Sequence, residues 1–113
     1  MWPSLGPDFA EWASRHLRST FPRQTAEMSD EALSDRLRSS AEQAARYGLA
    51  TEDQVLCLAA AGFLMGADFA ADPHHAWAAD ILADAELTAD ERAAMVVAIA
   101  ELLVEEGRYG ESA

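Results

Sequence analysis

The chain contains no lysine. All eight of its fixed positive charges are arginines, set against twenty acids, for a net charge of −12. It has a single cysteine, Cys57, which excludes an intramolecular disulfide and suits a reducing compartment. No apolar run approaches the ~20 residues needed to cross a bilayer. The stretch from Met1 to Asp8 has neither the basic start nor the apolar core of a signal peptide. These absences together predict a cytoplasmic protein. Sustained strand alternation, internal repeats and low-complexity linkers are also missing, which leaves an all-α reading.

What is present is a chain of 113 residues, half of them apolar and rich in alanine. That length supports one domain, 1–113, which buries roughly two-thirds of the surface its unfolded form exposes. An alanine-rich core must be built by close helix packing more than by bulk. The charge is lopsided. Residues 1–50 hold seven acids and six arginines, whereas residues 51–113 hold thirteen acids and only Arg92 and Arg108. A field of that sign repels phosphate backbones and anionic lipid, so nucleic acid and membrane are disfavoured as partners. It would speed encounter with a basic protein, or simply keep the chain soluble.

Stop and start signals divide the chain into five expected helices. The first runs from about Pro7 to Thr20, with Phe9, Trp12, Ala13, His16 and Leu17 at helical spacing, and Phe21-Pro22 closes it. The second starts at the N-cap Ser29, carries Leu33, Leu37, Ala41, Ala44 and Tyr47 on one side, and ends at Gly48. The third, about 51–66, opens on a capping box, Thr51 with Gln54. Val55 to Met65 contains no charge and is apolar on nearly every face, so this helix is expected at the centre of the core. The fourth is expected to start at Asp72-Pro73 and end near Ala85, with Trp77 and Ile81 one turn apart. A second capping box, Thr88 with Glu91, opens the fifth, whose expected core stripe is Met95, Ile99, Leu102 and Leu103, widened by Val96 and Val97. Residues 1–6 and 108–113 read as loose ends. The fold class is an all-α single-domain bundle of about five helices around a buried central one.

The corner between the third and fourth helices, Gly66 to Trp77, carries aromatics and ligand-type side chains. Asp68, Asp72, His74 and His75 are candidates for a metal site. The spacing is poor: adjacent histidines on a helix point roughly 100° apart, and there is no HExxH or second cysteine. A capping turn pinned by Phe69 and Trp77 is the better reading. The two histidines then fall in the first turn of a helix, where the dipole disfavours their protonation. Cys57 lies in the most apolar helix, where a thiol is ordinarily inert packing, and His16 reads as a partly buried core histidine. With no GxSxG, phosphate loop or dinucleotide fingerprint, no enzyme, cofactor or resident metal is expected.

The remaining candidate is a partner-binding surface. Asp80, Asp84, Glu86, Asp90, Glu91, Glu101, Glu105 and Glu106 line the last two expected helices. Asp80 and Asp84, like Glu101 and Glu105, are four residues apart, so like charges stack and a basic partner would relieve them. A binding face differs from a solvated acidic one in holding exposed apolar anchors among the acids. Trp2, Trp12, Phe21 and Tyr109 are the candidate anchors.

Several short stretches also resemble a known family. These are Phe21-Pro22, the run Ala45 to Val55 with Tyr47-Gly48-Leu49 and Thr51-Glu52-Asp53, the run Phe63 to Phe69, Asp72-Pro73, Trp77-Ala78 and Ile81-Leu82. Together they are similar to small helical bacterial proteins encoded beside type VI secretion spike and effector genes. That family's pattern is approximately a Tyr-Gly-Ile turn, an acidic helix start, a Gly-x-x-Phe-Asp corner and Trp-Ala before Ile-Leu. The similarity covers about residues 9–105. The chain departs from the pattern at Ala70, where a second acid is usual, and at His74-His75. The resemblance implies an accessory adaptor or chaperone that loads an effector, or an immunity protein that masks a basic toxin, and it carries no catalytic residue. The expected function is thus a non-enzymatic acidic protein-binding module, with a metal-dependent enzyme or sensor built on residues 68–75 as the alternative from another class.

Overall fold

The computed structural model describes residues 8–66 and 69–105, without the side chains of Ala71 and His74. Among these residues there are six α-helices and no strand: α1 (Phe9–Thr20), α2 (Pro22–Thr25), α3 (Asp30–Arg46), α4 (Glu52–Met65), α5 (Ala76–Leu82) and α6 (Ala89–Glu105). Two 3₁₀ turns, Phe69–Ala71 and Pro73–His75, fill the corner before α5. The all-α bundle expected from the sequence is therefore the fold.

Helix boundaries follow local chemistry closely. The Ser29 hydroxyl accepts the Ala32 N–H at 3.0 Å and starts α3. At its other end Gly48 takes φ +77°, the Leu49 N–H reaches the Ala44 carbonyl at 2.9 Å and the Gly48 N–H reaches Ala45 at 3.1 Å. That is a Schellman cap, and buried Leu49 provides its apolar contact. Both capping boxes form. Thr51 Oγ1 accepts the Gln54 N–H at 3.2 Å while Gln54 Oε1 accepts the Thr51 N–H at 3.2 Å. Thr88 and Glu91 exchange the equivalent pair at 3.1 and 2.8 Å.

Elsewhere the boundaries differ from expectation. Phe21 does interrupt α1, but Pro22 at once begins the short α2, whose Thr25 hydroxyl donates to the Phe21 carbonyl at 2.8 Å. Proline fits a first helical position because its missing N–H would have had no partner there. Asp72-Pro73 opens a 3₁₀ turn and not α5; the α-helix starts only at Ala76, with His75 in the N-cap position, and ends at Leu82 instead of near Ala85. The segments 1–6 and 108–113, expected as loose ends, lie outside the described residues.

The helices pack side by side, α1 on α3, α3 on α4 and α4 on α6, with α5 against α6. The result is a slab of 33 × 31 × 19 Å. α4 is its centre: from Gln54 to Met65 no residue is exposed. Its Leu58 and buried alanines share one core cluster with Phe9, Leu17, Leu33, Leu37, Phe69, Leu82 and Val96 from the other elements, each of these large side chains at most 1% exposed. Phe21 stacks on Phe63 with centroids 5.4 Å apart, and the Arg36 guanidinium covers the Phe63 ring at 4.3 Å.

Two arginines tie loose chain ends to this slab. Arg92 Nη1 donates to the Tyr47 carbonyl at 2.9 Å and to the Leu82 carbonyl at 3.0 Å, so α6 caps the ends of both α3 and α5. Arg18 donates to the carbonyls of Thr25 and Met28 at 3.0 and 2.9 Å and pairs with Asp30 at 2.9 Å, fastening α2 between α1 and α3. Arg92→Met keeps the aliphatic stem but leaves two carbonyls without their charged donor, and should cost about 2 kcal/mol in urea unfolding. In the same assay Leu58→Ala should cost about 3 kcal/mol, whereas Leu102→Ala, on the surface, should change stability by no more than about 0.5 kcal/mol.

Candidate functional site

α6 meets the slab through small residues. Ala93, Val96 and Ala100 are buried and Ala89 is half-buried, which sets a narrow row toward its neighbours. The wider stripe expected as core does not all turn inward. Met95 is 39% exposed and Leu102 54% exposed, while Ile99 and Leu103 are half-buried. Close packing against the alanine-rich α4 selects the small side of the helix and rotates the large aliphatics out. Seven residues is close to two full turns, so Met95 and Leu102 share a face. Ala94 and Ala98 are exposed beside them, and Glu91, Glu101 and Glu105 are exposed on the same helix. Apolar anchors among acids are therefore present, although they are not the aromatics named from the sequence.

Those aromatics are placed otherwise. Phe21 is buried in its stack with Phe63, and Trp12 is half-buried with an edge-to-face contact to Phe9 at 5.3 Å. Trp2 and Tyr109 lie outside the described residues. Among the acids, Glu101 and Glu105 do sit one turn apart on α6, both exposed. Asp80 and Asp84 do not stack on one helix. Asp80 is exposed on α5, but Asp84 lies beyond its end and accepts the Glu86 N–H at 2.9 Å. Asp90 is committed as well, accepting from Gln54 Nε2 at 2.8 Å.

In the corner, Gly66 ends α4 with φ +110°, and Phe69 and Trp77 pack into the core as expected. His75 is only 6% exposed, and its Nδ1 lies 3.5 Å from the Asp72 carboxylate. The Asp72 carbonyl accepts the His75 N–H at 2.8 Å, which closes the 3₁₀ turn. The two histidines thus precede α5 instead of forming its first turn. Asp68 and the His74 side chain lie outside what is described. Among the described residues no three histidine, cysteine or carboxylate groups converge in a metal-binding arrangement. What the structure brings together is one histidine–carboxylate pair in a packed corner.

His16 is exposed rather than partly buried, its Nε2 3.4 Å from the Thr20 hydroxyl. An open groove of about 450 Å³ runs between α1 and α3, lined by Ala10, Glu11, Ser14, Arg15, Arg18, Asp30 and Ser34. It was not foreseen, because its walls come from two helices whose relative placement no local pattern encodes. Arg18 there is already committed to two carbonyls and Asp30. Finally, Cys57 is a half-buried free thiol on α4. Burial first, and then the carboxylates of Asp53, Asp90 and Glu101, raise its pKa above the ordinary thiol value.

Comparison with protein-family models, with curated proteins and with solved structures finds no match to this chain. Since the folded thiol is the weaker acid, Cys57 contributes stability that is fully present below its unfolded pKa and is lost as the pH rises from there through the raised folded pKa. Urea unfolding should therefore show an alkaline decline that is shallower in Cys57→Ala, and alkylation of the native thiol should be slower than that of the unfolded chain at equal pH.

Proposed function

We propose that this chain is a non-enzymatic protein-binding module that docks its partner on the outer face of α6. One observation carries the reading: Met95 and Leu102 stand exposed two turns apart on a helix whose other exposed side chains include Glu91, Glu101 and Glu105. The cost of leaving those two side chains in water is removed when a partner covers them, by roughly 25 cal/mol per Å² of apolar surface. The surrounding acids favour a partner of opposite charge and discriminate against acidic ones. The resemblance to proteins encoded beside type VI secretion genes suggests the partner class. On that reading the chain acts in the cytoplasm as an adaptor or chaperone for a secreted effector.

The test is affinity capture of the neighbouring effector, co-produced with the full chain, using Leu102→Asp as the control. The expected result is a stoichiometric complex with the unmodified chain and at least a tenfold loss with the variant, in line with about 2 kcal/mol for a central apolar anchor. Full retention of the effector by Leu102→Asp would move the binding site off α6. A viability assay separates the two accessory roles: deletion that stops export of the effector supports the adaptor, and deletion that kills the cell supports an immunity protein.

A further inference from the structure

Resting on the docking reading of α6, we infer that the occupant of this face is a basic amphipathic helix. The spacing of the anchors points to a helix. Met95, Ile99 and Leu102 follow one another at intervals of four and three residues, which is the seam of a heptad. Ile99 is half-buried between exposed Met95 and Leu102, so the ridge is partly seated already, and among the described residues no helix covers its outer side. In the register set by that seam, Glu91 and Glu105 occupy equivalent flanking positions fourteen residues apart. At 1.5 Å per residue they are separated by about 21 Å, so a partner helix of roughly four turns spans both.

Charge decides what kind of helix. Flanking positions of a heptad seam choose partners by opposite charge; here the one exposed flank carries Glu91 and Glu105, while the other flank is buried Val96 and half-buried Leu103. Glu101, exposed one turn before Glu105, extends the same sign. Arg92, the sole arginine in α6, is turned away and held by the carbonyls of Tyr47 and Leu82. An antiparallel second copy would set these glutamates against their own counterparts, and a parallel one would set them against an uncharged flank, so a second copy supplies no opposite charge in either orientation. A helix with leucine or isoleucine on its seam and arginine or lysine beside it satisfies both the ridge and its rim.

The probes are two synthetic helical peptides of about eighteen residues with the same leucine and isoleucine heptad seam. One carries arginine and lysine at the flanking positions and the other glutamate and glutamine. Each is titrated calorimetrically into the full chain. The basic peptide is expected to bind at least about tenfold more tightly than the acidic one. Its affinity should drop about tenfold in Leu102→Asp, drop several-fold in Glu105→Lys, and fall with added salt. Both variants alter exposed side chains, and circular dichroism checks that they fold. Equal binding of the two peptides, with loss in Leu102→Asp, overturns the basic occupant while leaving the docking face. No binding of the basic peptide, or binding indifferent to Leu102→Asp, overturns the helical occupant. A concentration-dependent dimer in sedimentation that Leu102→Asp dissolves replaces it with a second copy. The effector capture described above fails independently of all three.

Discussion

Everything in this fold follows from a helix that cannot face water on any side. α4 carries no charge from Gln54 to Met65, and no residue in that span is exposed. A helix apolar all round needs neighbours all round, and the five other helices, of modest length, supply them only by lining up on both of its flanks. α3 takes one flank and α6 the other. Because Ala59, Ala61 and Gly62 are buried on α4, neighbouring backbones can approach closely, and small residues are favoured on the approaching side. The alanine row of α6 is the consequence, and so is the outward turn of Met95 and Leu102. The exposed ridge is thus a by-product of satisfying α4.

The polar chemistry of the chain serves the same arrangement. A slab of short helices has many ends, and each end leaves carbonyls or amides without intrahelical partners. Arg92 and Arg18 satisfy carbonyls at the ends of α2, α3 and α5 with charged donors from other helices. A guanidinium suits this task because its planar fork presents several donors in fixed directions. Gln54 goes further: its amide oxygen accepts the Ala50 and Thr51 N–H groups at 2.8 and 3.2 Å while its Nε2 donates to Asp90 at 2.8 Å. One side chain therefore caps α4 and sets α6 beside it at the same end.

Local chemistry was legible where it was decided by neighbours in sequence. Ser29, the Thr51–Gln54 and Thr88–Glu91 boxes, and Gly48 all act within four or five residues of themselves, and each does what its residue types require. The buried α4 was legible too, since total absence of charge leaves no face for water. Other features depended on more distant partners. Pro22 stops one helix and begins another because the Thr25 hydroxyl and Arg18 fold the chain back at that point. Residues 69–75 are occupied by two 3₁₀ turns because Phe69 must reach the core before α5 can start. The candidate site was half legible: the acids of α6 were visible, but Met95 and Leu102 were assigned to the core, and of the aromatics expected as anchors Trp12 and Phe21 are turned inward.

The sequence by itself determined that this is an all-α domain with a central helix, where most helices start and stop, and that its second half carries a strong negative charge. Those properties follow from periodicity, capping and composition, which act over a few residues or over the whole chain without regard to geometry. Only the tertiary structure decided which part of the broad apolar arc on α6 faces inward. An arc that includes Met95, Val96, Ile99, Leu102 and Leu103 is wider than one neighbour can cover, and its rotation is set by how closely α4 allows another helix to approach. The close approach admits Ala93, Val96 and Ala100 and leaves Met95 and Leu102 outside, with Glu91, Glu101 and Glu105 exposed along one side of them.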